Sequence, residues 1–293
     1  MSKNGILVKS KKRLFMIKLI ATDLDGTLFY PKKKIRLLVN KNKKFLSNFI
    51  NQGNRVVLVS GRNYHISRRI IRKLKHNVDM IACNGSALYR EKQIIEDYPM
   101  SHEDVQRMYE ENLENRNIMS WIFMTDQDNM IIVPNKMGLL LTICYRIGLI
   151  FQFRYRGTYR FGKRHFLKML KEENVRIYKA MSIYGLGIKG INKAASCISD
   201  MKEKYGDTFE VIQSHSSLEI MNKNINKASC LLKYIKTLGI EKEEVAVIGD
   251  SGNDVPLFEA FPNSFVMAQA QKEVMEKANT VIKGVYELEK YVN

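Results

Sequence analysis

Two aspartates stand two residues apart in Asp23-Leu24-Asp25-Gly26-Thr27, directly after the apolar run Ile17-Lys18-Leu19-Ile20-Ala21-Thr22. Where a strand runs into a tight turn, both carboxylates can face one pocket, and Gly26 lets the backbone turn sharply. A close carboxylate pair suits two jobs: holding a hard cation such as Mg²⁺, and dividing a nucleophile from a proton donor. An ordinary strand-to-loop turn uses the same letters, so this pair alone decides nothing. A second acidic cluster, Gly249-Asp250-Ser251-Gly252-Asn253-Asp254, closes another apolar run, Val245-Ala246-Val247-Ile248. If the two strands are neighbours, four carboxylates converge at one sheet edge, which is untenable without a bound cation or protonation. Phosphoryl transfer gives such a cluster a purpose. Mg²⁺ neutralises carboxylates and phosphate together, and positioning and charge stabilisation remain as the catalytic tasks.

The elements that must position these residues follow from the pattern of apolar runs. After the strand ending at Asp23 comes a lysine-rich loop, then a helix over roughly Asn40 to Gln52 that Gly53 stops. Arg55-Val56-Val57-Leu58-Val59 is a second continuous apolar strand, ending at Ser60-Gly61-Arg62. A basic amphipathic helix over about Tyr64 to Lys75 leads into a third, Met80-Ile81-Ala82-Cys83, ending at Asn84-Gly85. Strands apolar on both faces and separated by helices indicate a parallel sheet covered on both sides. Active sites of such sheets lie beyond the carboxyl ends of the strands, where all these polar clusters sit. The style then changes. A hairpin at Leu88-Tyr89 and Ile94-Ile95 is followed by a helix from about Ser101 to Glu114 and by further strands and helices up to Ser217–Met221. The first style returns from Lys227. The expected fold is therefore α/β, a Rossmann-like parallel-sheet core with an inserted α+β cap. The divisions are residues 16–86 and 223–293 for the core and 87–222 for the cap, after a basic N-terminal extension, 1–15.

Asp23-Leu24-Asp25-Gly26-Thr27, Ser60-Gly61-Arg62, Lys227 and Gly249-Asp250-Ser251-Gly252-Asn253-Asp254 resemble the four ordered motifs of the haloacid dehalogenase-like superfamily. Asn84-Gly85-Ser86 and Leu218-Glu219-Ile220 are similar to the Cof-like sugar-phosphatase branch, and the resemblance covers the chain from Met16 onward. The resemblance implies a phosphoric monoester hydrolase acting on a small phosphorylated substrate. Asp23 would attack phosphorus and form an aspartyl-phosphate, while Asp25 would protonate the leaving oxygen and then activate water. Ser60, with Gly61, would bind the phosphoryl group, Lys227 would balance its charge and that of Asp23, and Asn253 would touch the phosphate or hold the loop. Asp250 would bind Mg²⁺ together with the Asp23 side chain and the Asp25 carbonyl. Asp254 would be a further ligand or support the others from behind. Arg62, Asn84 and Gly85 are candidate substrate contacts, and Lys223 competes with Lys227 for the lysine's place.

The chain departs from that pattern at Ala228, where glycine is usual, and at Ala268-Gln269-Ala270, where a G-N-A-like loop is usual. Gly185-Leu186-Gly187-Ile188-Lys189-Gly190 has the letters of a dinucleotide loop but falls inside the cap, and it reads as a turn. The histidines (His65, His76, His102, His165 and His215) are dispersed, with His215 near the cap–core junction.

The formal charge is +18, from 48 Lys and Arg against 30 Asp and Glu, which favours anionic partners but does not choose among them. Between Lys136 and Lys179 there are 11 Lys or Arg and two Glu. There the alternation Phe151-Gln152-Phe153-Arg154-Tyr155-Arg156 reads as a half-buried strand with a basic face, as a surface for anionic substrate, or as a stacking platform for single-stranded nucleic acid. Cys83, Cys144, Cys197 and Cys230 form no close pair, which speaks against a zinc site or disulfide scaffold. The longest apolar stretch, Gly138 to Phe153, is interrupted by Tyr145, Arg146 and Gln152 and falls short of the ~20 residues a membrane helix needs. A cytoplasmic enzyme with no membrane partner is the expectation, and oligomeric state is left open. A phosphomutase on the same core and a nucleic-acid-binding protein with a secondary phosphatase core are the alternatives.

Overall fold

A computed structural model describes residues 16–30, 38–127, 129–135 and 158–292. The first sheet is built on β1 (Leu19–Thr22), β2 (Arg55–Val59) and β3 (Asp79–Ala82), with β4 (Ala87–Arg90) and β5 (Gln93–Asp97) at one edge. On the other side of β1 lie β12 (Val245–Gly249), β13 (Asn263–Met267) and β14 (Thr280–Ile282), so that six strands from β14 to β3 run parallel. Every residue of β1 and β12 is buried, because helices cover both faces. Ile20 packs in one core cluster with Phe45, Leu46 and Phe49 of α1 (Asn40–Asn51). Leu19 and Ala21 point the opposite way, toward Ala228, Leu231 and Tyr234 of α6 (Lys227–Leu238). Other first-unit helices are α2 (Tyr64–Leu74), α7 (Val255–Ala260) and the single turn α8 (Lys272–Met275).

The second sheet holds β6 (Ser120–Thr125), β7 (Asn129–Pro134), β8 (Thr158–Phe161), β9 (Ile177–Ile183), β10 (Phe209–Ser214) and β11 (Ser217–Asn222). Its helices α3 (His102–Glu111), α4 (Lys163–Lys171) and α5 (Gly187–Tyr205) bury Met108, Phe166 and Met201 against Phe123 and Ile220 on one face. Along β11, Leu218 and Ile220 enter that core, while Glu219 and Met221 alternate to the side facing the first sheet.

Two expectations change. The hairpin of β4 and β5, expected in the cap from residue 87 onward, completes the first sheet, where Ile81 pairs with Leu88. Strand pairing therefore carries that sheet through Asp97. Of the Gly185–Gly190 stretch, expected as a turn, only Gly185 and Leu186 are non-helical, and Gly187 to Gly190 form the first turn of α5, which starts there rather than near Ile191. In the aromatic–basic stretch, Tyr159 and Phe161 are half-buried around an exposed Arg160, while residues 151–157 lie outside the described residues, as does Cys144. No helix among the described residues is long and apolar enough to cross a membrane.

Candidate active site

The register Thr22↔Ile248 brings the ends of β1 and β12 side by side, so Asp23 and Asp250 emerge from adjacent strands at the same edge. Asp23 is 5% exposed, and its N–H donates to the Ile248 carbonyl at 2.9 Å. The chain then winds tightly through Leu24–Leu28. Gly26 sits at φ +77, and a Cβ there would lie 2.1 Å from Asp250 Oδ2. Both the conformation and the close approach require glycine at this position. Thr27 Oγ1 donates to Asp250 Oδ1 at 2.8 Å. Ligand oxygens of Asp23, Asp250 and Asp254 all lie within 4.8 Å of one another.

Lys227 begins α6, whose start is capped by Asn226 accepting from the N–H groups of Ala228 and Ser229. Its side chain is fully buried. Nζ donates to Asp23 Oδ1 at 2.8 Å, to Asp254 Oδ1 at 2.6 Å and to Asn253 Oδ1 at 3.3 Å. The competitor Lys223 is exposed and donates to the Gly206 carbonyl. Asp254 Oδ2 accepts from the N–H groups of Asp250 and Ser251 at 3.0 and 3.1 Å, so both its oxygens are engaged. Asp23 Oδ2 and Asp250 Oδ2 receive no donor among the described residues.

Asp25 stands apart from this buried cluster, with its side chain 50% exposed and bonded to the Nε and Nη2 of Arg62. Arg62, expected to meet substrate, is therefore held at the mouth of the site by a carboxylate. Ser60 is buried at the end of β2, and its Oγ accepts from the Arg62 N–H at 3.2 Å. Asn84 and Gly85, also expected at the substrate, pack against protein groups in the buried site. Asn84 is fully buried at φ +58, and its N–H donates to the Ser60 carbonyl at 3.0 Å. Gly85 lies against the cap of α6, where a Cβ would be 2.2 Å from the Asn226 carbonyl. Its role is to let the loop close on that helix. Gln269, at the second departure from the family pattern, donates from Nε2 to the Gly26 carbonyl and so braces the Asp23 loop.

The electrostatics follow from this crowding. Burial pushes the Asp23 carboxyl well above the usual carboxylate range against the pull of Lys227, and Asp254, Asp250 and Asp25 add to the rise. Burial and then Asp254 push Asp250 up to about 7. Burial works against the charge on Lys227, but Asp23 and Asp254 hold it above the ordinary lysine value. Three carboxylates gather around one ammonium that bonds two of them, and their ligand oxygens lie within 4.8 Å of one another. That donor set fits Mg²⁺, whose charge would relieve the repulsion.

Two residues that motif reading does not place in the site belong to it. Lys179 of β9 and Glu219 of β11 are nearly inaccessible, and Lys179 Nζ lies 2.9 Å from Glu219 Oε1. Glu219 Oε2 accepts from the side-chain amides of Asn84 and Asn253. Lys179 also donates to the Gly61 carbonyl at 2.9 Å. Each is a charged residue inside a strand; Leu218-Glu219-Ile220 marked Glu219 as part of a motif, but nothing in the sequence pointed to Lys179.

The profile of the haloacid dehalogenase-like hydrolase family matches residues 20–287. The 5-amino-6-(5-phospho-D-ribitylamino)uracil phosphatase YcsE of Bacillus subtilis is 24% identical over 267 residues, spanning 90% of this chain and 89% of its own. The pyridoxal phosphate phosphatase YbhA of Escherichia coli is 23% identical over 269 residues, spanning 90% of this chain and 93% of its own. A crystallised haloacid dehalogenase-like hydrolase from B. subtilis superposes with a TM-score of 0.76 at 19% identity, covering 94% of this chain and all of that one.

Proposed function

The chain belongs to the haloacid dehalogenase-like hydrolase family and is a phosphatase, and we propose that it hydrolyses a small phosphorylated metabolite, a sugar phosphate or similar ester, with Mg²⁺ and through a phosphorylated Asp23. The observation that carries this reading is the convergence of Asp23, Asp250, Asp254 and Lys227 in one buried cluster at the sheet edge.

Lys227 holds one oxygen of Asp23 and so fixes the tilt of the carboxylate that attacks phosphorus. As the new O–P bond forms, the bond to the leaving oxygen breaks, and that oxygen takes a proton from Asp25, which must first swing off the Arg62 guanidinium that engages both its oxygens and enter the reaction protonated. Asp25, now a carboxylate, removes a proton from water. The water oxygen then attacks phosphorus, releasing inorganic phosphate and restoring Asp23. Exposure suits Asp25 to this role, because its partners are the substrate's leaving group and water; Arg62 steers it across the mouth. Ser60 Oγ already accepts one bond, from Arg62 N–H, so its own proton is left to donate to a phosphoryl oxygen. Bound Mg²⁺ would neutralise carboxylates and phosphate together, held by Asp23, Asp250 and the Asp25 carbonyl. Asp254, with both oxygens engaged, anchors Lys227 and the 250–251 loop in support of those ligands. Asn253 likewise holds the loop.

Purified protein should hydrolyse p-nitrophenyl phosphate in Mg²⁺ and lose turnover on chelation. Asp23→Asn should lower kcat to the uncatalysed background. Full turnover in Asp23→Asn, or turnover indifferent to EDTA, would sink the mechanism. The relatives named above act on a pyrimidine ribityl phosphate and on pyridoxal phosphate. A panel of sugar, cofactor and nucleotide monophosphates would therefore find the ester this chain prefers.

A further inference from the structure

A carboxylate of the second unit sits inside the catalytic cluster of the first. Glu219, on β11, is 5% exposed. Its Oε2 accepts from Asn253 Nδ2 at 3.2 Å and from Asn84 Nδ2, and its Oε1 accepts from Lys179 Nζ at 2.9 Å. An amide side chain has a donor end and an acceptor end, so fixing one end fixes the other. With Nδ2 turned to Glu219 and to Asn84 Oδ1, the Oδ1 of Asn253 must face the opposite way. There it accepts from Ser251 Oγ at 2.7 Å and from Lys227 Nζ at 3.3 Å. The flipped amide would set its NH₂ against the Lys227 ammonium and its carbonyl oxygen against the Glu219 carboxylate, two like-sign contacts in a buried site.

We infer that Glu219 is a positioning residue: by orienting the Asn253 amide it fixes the Lys227 ammonium on Asp23, so that the second unit sets the geometry of the nucleophile in the first. Lys179 completes the device. It neutralises Glu219 where a lone carboxylate would be costly, and its bond to the Gly61 carbonyl ties the pair to the strand end that carries Ser60. The inference rests on the reading of Asp23 as nucleophile. A contact that merely packed one unit on the other would need no charged pair, and none aimed at both asparagines.

The test uses Glu219→Gln, Lys179→Met and the double variant, with p-nitrophenyl phosphate and Mg²⁺. The lysine ammonium resonances of ¹⁵N-lysine-labelled protein are read alongside, with that of Lys227 assigned. Glutamine cannot accept on both sides: either its NH₂ meets the Lys179 ammonium or it meets the asparagine NH₂ groups. Glu219→Gln should therefore lower kcat about tenfold or more with KM changed less than about twofold, and should move the Lys227 resonance. Lys179→Met removes the first conflict, so the double variant should recover to within about threefold of wild-type kcat, where two merely structural losses would compound. An unchanged kcat in folded Glu219→Gln, a fall without movement of the Lys227 resonance, or a double variant worse than either single one overturns the inference. If the wild-type protein shows no turnover at all, the phosphatase mechanism fails. The Lys227 resonance then decides by itself whether Glu219 sets the ammonium.

Discussion

Asp250 holds its proton up to about pH 7 because it is buried and next to Asp254, against the opposing donation from Thr27. In the unfolded chain the same carboxyl titrates near 4. Between those values the folded state binds a proton that the unfolded state has released, so this group makes stability fall as pH rises from about 4 toward 7. A cation that takes the proton's place reverses the effect. Thermal stabilisation by Mg²⁺ should accordingly be larger at pH 8 than at pH 6, and Asp250→Asn should remove most of that difference. Melting curves at both pH values, with and without Mg²⁺, measure it; equal shifts in the wild-type protein would exclude Asp250 as a ligand. The residues of this cluster were legible because polar groups that interrupt apolar runs at the same strand ends can be read without a structure. Lys179 was not, and Glu219 stood in a motif, Leu218-Glu219-Ile220, without being placed at the site. Each occupies one position in an alternating strand, and only the facing of one sheet toward the other turns those positions inward.

Gly26 and Gly53 both sit at positive φ, +77 and +89, but the elements they serve differ. Gly53 ends α1 with nothing within 4 Å of its missing Cβ, whereas the Gly26 Cβ would overlap Asp250 Oδ2. Alanine at either site costs about 1 kcal/mol in conformation. Gly53→Ala should therefore lower the melting temperature by a few degrees and leave turnover unchanged. Gly26→Ala should add to that a fall in kcat/KM of about 100-fold or more, because Asp250 must move. Equal kinetic effects of the two variants would show that the tight turn does not set the Asp250 carboxylate. At this scale most helices and strands were legible to within a few residues, since apolar periodicity is a local property, while the short β14 and α8 were not. The hairpin at Leu88 and Ile94 was misassigned, because an antiparallel hairpin looks alike in either sheet. The Glu91-Lys92 turn, both residues at positive φ, gives a two-residue connection, and burial of Ala87, Leu88 and Tyr89 against β3 then places it in the first sheet.

Across the whole molecule the formal charge is +18, whereas the catalytic cluster is itself acidic. The field of the net positive charge favours the approach of a dianionic ester, although its destination carries carboxylates. Such a field acts at distances where salt screens it, about 10 Å at 0.1 M, while the buried contacts to Asp23, Lys227 and Glu219 are screened far less. Raising KCl from 20 to 200 mM should therefore lower kcat/KM several-fold and leave kcat nearly constant. A parallel fall in both would place the salt-sensitive interaction inside the cluster rather than on the approach. The same titration separates a metabolite enzyme from a polyanion-binding protein. Condensed counterions make nucleic-acid affinity fall as a power of salt set by the number of phosphates engaged, whereas one ester engages a single phosphate. A labelled single-stranded oligonucleotide bound at 20 mM salt should be lost by about 150 mM. A complex that persists there would mean that the aromatic and basic residues before β8 and around Arg160 hold bases as well as charge, and the nucleic-acid alternative would stand beside the phosphatase.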